Sequence, residues 1–187
     1  MSEFAALAAQ AADEMRQAAA GVDPEQGEAL VAAIGSARRI VLHGVGREGL
    51  MMRAFAMRLF HMGCDAHVLG DMTTPPVGPG DLLIVSAGPG YFSTVAALVE
   101  VAKKAGARTA CITAQPDGAV PLACSMVMTI PAQTMADDQT PSAASILPMG
   151  SLYEGAQYLV FELLVLMLRE RLVVSPEAMR ANHTNLE

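Results

Sequence analysis

The sequence predicts a doubly wound α/β fold, a five-stranded parallel sheet flanked by helices. Three observations point to it. Five short apolar runs, Ile40–Leu42, Ala66–Leu69, Leu82–Val85, Thr109–Thr113 and Val127–Ile130, are continuous rather than alternating, as expected of strands buried on both faces. Segments with helical spacing separate most of them. The first and third runs end in glycine-rich turns that lead into helices. That arrangement opens a ligand crevice at the carboxyl ends of a parallel sheet.

The elements follow in order. Residues 1–35 read as two helices, the first with Phe4, Leu7, Ala11 and Met15 at helical spacing. Gly21-Val22-Asp23-Pro24 breaks it, with Asp23 as N-cap and Pro24 at the first position of the second. The sheet core spans residues 39–130. Its first helix, Glu48–Met62, carries Leu50, Ala54, Met57 and Phe60 on one face. A Thr73-Thr74-Pro75-Pro76 loop follows the second strand, and Asp81 stands ahead of the third. Phe92–Ala105 is a helix ended by Gly106, and Val120–Ala123 a short one. Residues 131–148 form a loop longer than most connections in compact domains, with Asp137-Asp138-Gln139 readable as a solvated tip. A long helix, Gly150–Leu172, and a short one, Pro176–Arg180, complete the section 150–187. No linker or repeat divides the 187 residues, so the whole chain reads as one domain.

Composition narrows the function. Apolar residues make up 52% and aromatics only 4%, so the core is aliphatic and draws on 13 methionines. The net charge of −7 comes with no basic run, which argues against nucleic acid as a partner. An acidic protein that binds an anion must do so through local donors. Cys64, Cys111 and Cys124 are few and widely spaced, and read as reduced core residues of a cytoplasmic protein. Residues 1–20 carry Glu3, Asp13 and Glu14 without a basic start, unlike a secretory signal. The apolar run Leu159–Leu168 contains Glu162 and is short for a membrane span, so no membrane partner is expected.

The chemistry concentrates in three places. His43-Gly44-Val45-Gly46-Arg47-Glu48-Gly49 formally satisfies the dinucleotide fingerprint. Gly44 and Gly46 would let a ligand approach the backbone, and the helix start suits an anion. A turn that needs glycine only for packing is the alternative. The following strand leads to Asp71, a weak candidate for a ribose-binding acid, so neither nicotinamide nor metal is expected. The second place is Ser86-Ala87-Gly88-Pro89-Gly90-Tyr91-Phe92-Ser93-Thr94. There Ser86 leaves the strand where a hydroxyl can face a ligand, and the N–H groups of Gly88 to Ser93 form a candidate anion cradle, with Ser93 and Thr94 at the helix start. The alternative is that Ser93 merely caps the helix. The third is Glu154, in the first turn of the long helix, which reads as a general base facing the crevice or as a helix-capping carboxylate. His183, in the tail, is on its own most simply a solvated side chain.

Gly44-x-Gly46-Arg47, Arg53-Ala54-Phe55-Ala56-Met57-Arg58-Leu59-Phe60-His61-Met62-Gly63, Thr74-Pro75, Gly80-Asp81-Leu82-Leu83, Leu147-Pro148-Met149-Gly150-Ser151-Leu152-Tyr153-Glu154 and His183-x-Asn185-Leu186-Glu187 together resemble the sugar isomerase (SIS) domain family. Within it they are most similar to the 6-phospho-3-hexuloisomerases, which convert a 3-hexulose 6-phosphate to fructose 6-phosphate. The resemblance implies a tetramer with active sites between subunits. It implies Glu154 as catalytic base and His183 as an assisting group from a neighbouring subunit. It also shows departures. Glu48 stands where the family usually has serine. Ser86-Ala87-Gly88-Pro89-Gly90-Tyr91 replaces a Ser-Gly-Ser-Gly-Glu-Thr phosphate loop. Each lost hydroxyl removes a hydrogen bond to phosphate, worth about 1.5–3 kcal/mol, and Glu48 adds a negative charge nearby.

The expectation is an isomerase that moves a carbonyl along a sugar or sugar phosphate. Glu154 and His183 would be catalytic, and Gly44, Gly46, Arg47, Glu48, Ser86, Gly88, Tyr91, Ser93 and Thr94 would line the substrate. Arg47 would orient the substrate anion, or form a surface ion pair with Glu48. A non-catalytic sugar-binding or sensing domain on the same fold is the alternative.

Overall fold

The computed structural model describes residues 2–140 and 145–186. Glu187 and four residues of the long 131–148 loop lie outside the described residues. The order is α1 (Glu3–Ala20), α2 (Pro24–Ser36), β1 (Ile40–His43), α3 (Gly46–His61), β2 (Ala66–Val68), β3 (Leu82–Ser86), α4 (Ser93–Lys104), β4 (Arg108–Thr113), α5 (Ala119–Ala123), β5 (Met126–Thr129), α6 (Ser151–Arg171) and α7 (Pro176–Ala181). The five strands are parallel in the order β2-β1-β3-β4-β5. β1 and β3 are in register from Ile40 opposite Leu82 to His43 opposite Val85. This strand order reverses direction between β1 and β3, where doubly wound sheets bind ligands. The two glycine turns of the sequence flank that point.

The continuous apolar runs are explained by two cores. Ile40, Leu42, Leu82, Ile84, Ala110 and Ile112 face a core shared with α1, α2, α3 and α6. Val41, Leu83, Val85 and Cys111 face the opposite one, completed by Val95, Val99 and Val120 from α4 and α5. Phe55 of α3 stacks on Phe161 of α6 at 4.4 Å between ring centroids, joining the two helices. Asp23 caps α2 by accepting from the Glu25 N–H at 2.9 Å, with Pro24 opening the helix. The three cysteines are free thiols, with Cys111 buried.

The structure adds to three local readings. The α3 face formed by Leu50, Met57 and Phe60 points outward; Met52, Phe55, Ala56 and Leu59 are the buried ones. Asp137 and Asp138 are half-buried and Gln139 is exposed, and the Asp137 carboxylate braces the loop by accepting from the Thr134 N–H at 2.7 Å and from the Thr134 hydroxyl at 3.1 Å. The run Leu159–Leu168 is part of a 21-residue helix, which is long and apolar enough to cross a membrane by length and composition. In this fold Leu152, Tyr153, Ala156, Val160, Phe161, Leu164, Val165 and Leu168 of that helix are buried.

Asp81 anchors the start of β3. It is fully buried, and its carboxylate accepts from Arg38 and from the Gly78 N–H, both at 2.8 Å. Asp81→Ala removes both bonds and leaves the Gly78 donor unpaired. Urea unfolding is expected to show a loss of about 1–3 kcal/mol.

Candidate active site

The β1–α3 turn is built by contact between glycines. A Cβ on Gly49 would lie 2.5 Å from the Gly44 carbonyl oxygen, so the packing alternative accounts for these two positions. Gly46 opens α3 with φ +56° and is exposed beside Arg47. The turn aims consecutive side chains in opposite directions: Arg47 outward, Glu48 into the protein.

Glu48 is only 8% exposed. Its Oε2 accepts from the Ser86 hydroxyl at 2.5 Å and from the Gly88 N–H at 3.0 Å. Ser86 is fully buried. Its hydroxyl also accepts from the Gln157 side-chain amide at 2.8 Å and lies 3.3 Å from the Tyr153 hydroxyl. The expectation that Ser86 faces the ligand is therefore revised. The two-residue period of β3 places Ser86 on the side of Leu82 and Ile84, toward α6. Its hydroxyl is engaged beneath the crevice. Gly88 is equally constrained, since a Cβ there would lie 2.8 Å from both Glu48 Oε1 and the Tyr153 ring.

Burial raises the pKa of Glu48 above the usual glutamate range, against the opposing effect of the Ser86 and Gly88 hydrogen bonds; the nearby Glu154 charge adds to the rise. Burial likewise raises the Tyr153 phenol well above its ordinary value, so at neutral pH it stays protonated and able to donate. The buried polar members from α6, Tyr153 and Gln157, were not singled out in the sequence. The available signal was a glutamine one helical turn beyond a tyrosine on an otherwise apolar helix face.

The mouth of the crevice holds an ion pair. The Arg47 guanidinium bonds to the Glu154 carboxylate, with Arg47 largely exposed and the Glu154 side chain 13% exposed. Arg47 therefore pairs with Glu154, not with Glu48. The N-terminus of α6 has no side-chain hydrogen-bond cap and Gly150 occupies the N-cap position, so Glu154 does not cap by hydrogen bond, though it sits in the first turn where the helix dipole favours a carboxylate. Across the crevice, α4 begins after Phe92, again without a capping side chain. Ser93 thus does not cap the helix. Ser93 and Thr94 are exposed there, as is Tyr91. The first N–H groups of a helix have no intrahelical partner, so this turn presents donors to the crevice. The cradle is narrower than expected, because the Gly88 N–H goes to Glu48 and the Gly90 N–H to the Ala87 carbonyl at 2.8 Å.

His183 is elsewhere. Its ring stacks on His61 at 5.1 Å, at the far end of α3 from Arg47. The intervening helix is roughly 20 Å long at 1.5 Å per residue. Asn182 fixes the tail there by donating to the His61 carbonyl at 3.0 Å. Within one chain, the structure brings Arg47, Glu48, Ser86, Gly88 and Glu154 together and leaves His183 apart.

A parallel sheet in this order, with a carboxylate-bearing crevice at its switch point, defines a doubly wound α/β domain that takes its ligand at the carboxyl ends of the strands. Residues 33–160 match the SIS domain family, and the chain belongs to it. It is 41% identical over 175 residues to the 3-hexulose-6-phosphate isomerase of Mycobacterium gastri, covering 94% of this chain and 87% of that one. It is 34% identical to the enzyme of the same name from Bacillus subtilis, covering 94% of both chains. Among solved structures, it is similar to a Methanococcus jannaschii protein whose structure was taken to infer a 3-hexulose-6-phosphate isomerase function. That match has a TM-score of 0.78 and 27% identity over 87% of this chain and 86% of that one.

The raised pKa of Glu48 has a consequence for stability. The folded protein holds this proton more tightly than the unfolded chain does. Burying the carboxyl therefore costs least below the ordinary glutamate pKa, about 4.3. The cost grows as pH rises toward the folded-state pKa and then levels off. Glu48→Gln cannot ionise, so its stability relative to the wild type is expected to rise as pH is raised from 4 to 7, measured by urea unfolding at stepped pH. A difference that stays flat would mean that Glu48 is as well stabilised in the fold as in water.

Proposed function

We propose that this chain is a sugar-phosphate isomerase that interconverts 3-hexulose 6-phosphate and fructose 6-phosphate through a cis-enediol. The observation that carries the reading is the Arg47–Glu154 pair at the β1/β3 switch point. A carboxylate and a cation thus meet at the mouth of one crevice, which supports Glu154 as the base. The 3-hexulose-6-phosphate isomerases to which the chain is 34–41% identical support the substrate class.

In the reaction, Glu154 takes the proton from C2 of the 3-ketose, forming the 2,3-enediolate with its charge on O3. It returns the proton to C3 while the hydroxyl proton passes from O2 to O3 and the carbonyl re-forms at C2. One base on one face of the substrate is enough. Arg47 holds Glu154 in place and is positioned to meet an anionic substrate. The first turn of α4, with Ser93 and Thr94, receives the phosphate through N–H groups and hydroxyls, assisted by the helix dipole. Glu154→Gln is expected to fold normally and to lose at least about 100-fold in kcat, followed by fructose 6-phosphate formation. Ligand binding without turnover in the wild type would instead mark a sugar-sensing domain.

The site is completed by assembly. His183 lies about a helix length from Glu154 in its own chain, which supports its delivery to the site of a neighbouring subunit in a homotetramer. Exposed apolar side chains, Leu50, Met57 and Phe60 on α3 and Tyr158, Leu163 and Leu166 on α6, support a subunit interface. The reading places the enzyme in the cytoplasm. Sedimentation at micromolar concentration is expected to show an oligomer with no stable monomer. In mixed oligomers, Glu154→Gln and His183→Ala subunits are expected to restore part of the activity that each lacks alone. A monomer, or no restoration, would remove the shared site.

A further inference from the structure

We infer that Glu48 is a positioning residue, an internal carboxylate clamp that holds the β3–α4 loop from beneath and so sets how that loop meets the substrate phosphate. The inference rests on the proposed phosphate site but adds a role for a residue that would otherwise count only as a repulsive charge. Four geometric facts carry it. One oxygen, Oε2, receives both the Ser86 hydroxyl and the Gly88 N–H, so the end of β3 and the first bend of the loop are tied to a single atom of α3. The other oxygen, Oε1, occupies the space a side chain at position 88 would need, 2.8 Å from that Cβ. Ser86 is braced in turn by Gln157 and Tyr153 of α6. Finally, the side chain is almost wholly removed from solvent, so the carboxyl is held inside the loop and does not project into the crevice.

The physical consequence is a division of labour among N–H groups. A loop with free donors all along its length can cradle an anion in several ways. Here Glu48 takes the Gly88 donor and Ala87 takes that of Gly90. The open donors then lie beyond Gly90, at the end of the loop and the start of α4, so an incoming phosphate is directed toward Ser93 and Thr94. The clamp also makes positions 48 and 88 one unit: an acid at 48 fits only while 88 lacks a side chain.

Three variants test this, compared by amide hydrogen exchange and by kinetics with 3-hexulose 6-phosphate. Glu48→Ala removes the clamp. Glu48→Asp keeps a carboxylate too short to reach Ser86 and Gly88 together, and serves if the alanine variant does not fold. Glu48→Gln keeps one carbonyl oxygen able to accept both bonds. Exchange at the Gly88 amide is expected to accelerate at least about tenfold in the Ala and Asp variants and to return toward wild type in the Gln variant. KM is expected to rise at least about tenfold in the first two, with kcat changed less than about threefold, and to recover in the third. Unchanged Gly88 exchange in Glu48→Ala or Glu48→Asp would overturn the clamp. So would a lower KM in those variants, which would make Glu48 a repulsive charge, or a fall in kcat at constant KM. A wild type that turns over no 3-hexulose 6-phosphate would instead overturn the proposed function, and the Gly88 exchange would still decide the clamp.

Discussion

The crevice depends on one buried carboxylate. Glu48 reaches from the start of α3 across the carboxyl end of β1 to the end of β3. It thereby joins the two turns on either side of the topological switch point. Burying a carboxylate is unfavourable unless its oxygens find donors. Here the donors are a strand hydroxyl and a loop N–H, so the requirement to satisfy the charge becomes a constraint on loop shape. Tyr153 and Gln157 extend the constraint to α6, the helix that also carries Glu154. The β3–α4 loop and the helix that carries Glu154 are thus braced through one buried polar network.

The same network would let an acidic protein receive an anion at this place. Of the two glutamates near the crevice, Glu48 is turned inward onto its hydrogen-bond donors and Glu154 is paired with Arg47. Neither presents a bare charge to the mouth of the crevice. The uncapped start of α4 supplies fixed partial positive charge there. Local donors therefore outweigh the net charge of −7, because the field of distant surface charges is screened within about 10 Å at ordinary ionic strength.

The distribution of apolar surface carries a second constraint. α3 and α6 bury one side of each helix against the sheet and each other, joined by the Phe55–Phe161 stack and the Arg58–Glu162 pair at 3.2 Å. Their outer sides retain Leu50, Met57, Phe60, Leu163 and Leu166. Such helices are two-sided, so helical spacing of apolar residues identified the helix but not the side that faces the core.

Most of the architecture was legible from residue pattern. The strand runs, the Asp23-Pro24 helix start and the two glycine turns depend on local rules of burial period and backbone geometry, and the fold follows them within a few residues. The crevice location was legible for the same reason, since strand order and turn composition set it together. Within the crevice, sequence singled out Glu48, Ser86, Gly88 and Glu154 as candidates but not their partners. The Arg47–Glu154 and Glu48–Ser86 pairs join residues 107 and 38 positions apart, and only the packing of α6 and α3 over β3 decides which acid meets which donor. Ser86 turned inward because β3 alternates, a rule readable in advance. Tyr153 and Gln157 became part of the site because α6 lies across the strand ends. His183 was placed by the tail folding onto the far end of α3, where local pattern carries no information. The sequence determined which elements form and where they turn; tertiary structure decided which charges are buried, and so which are satisfied from within.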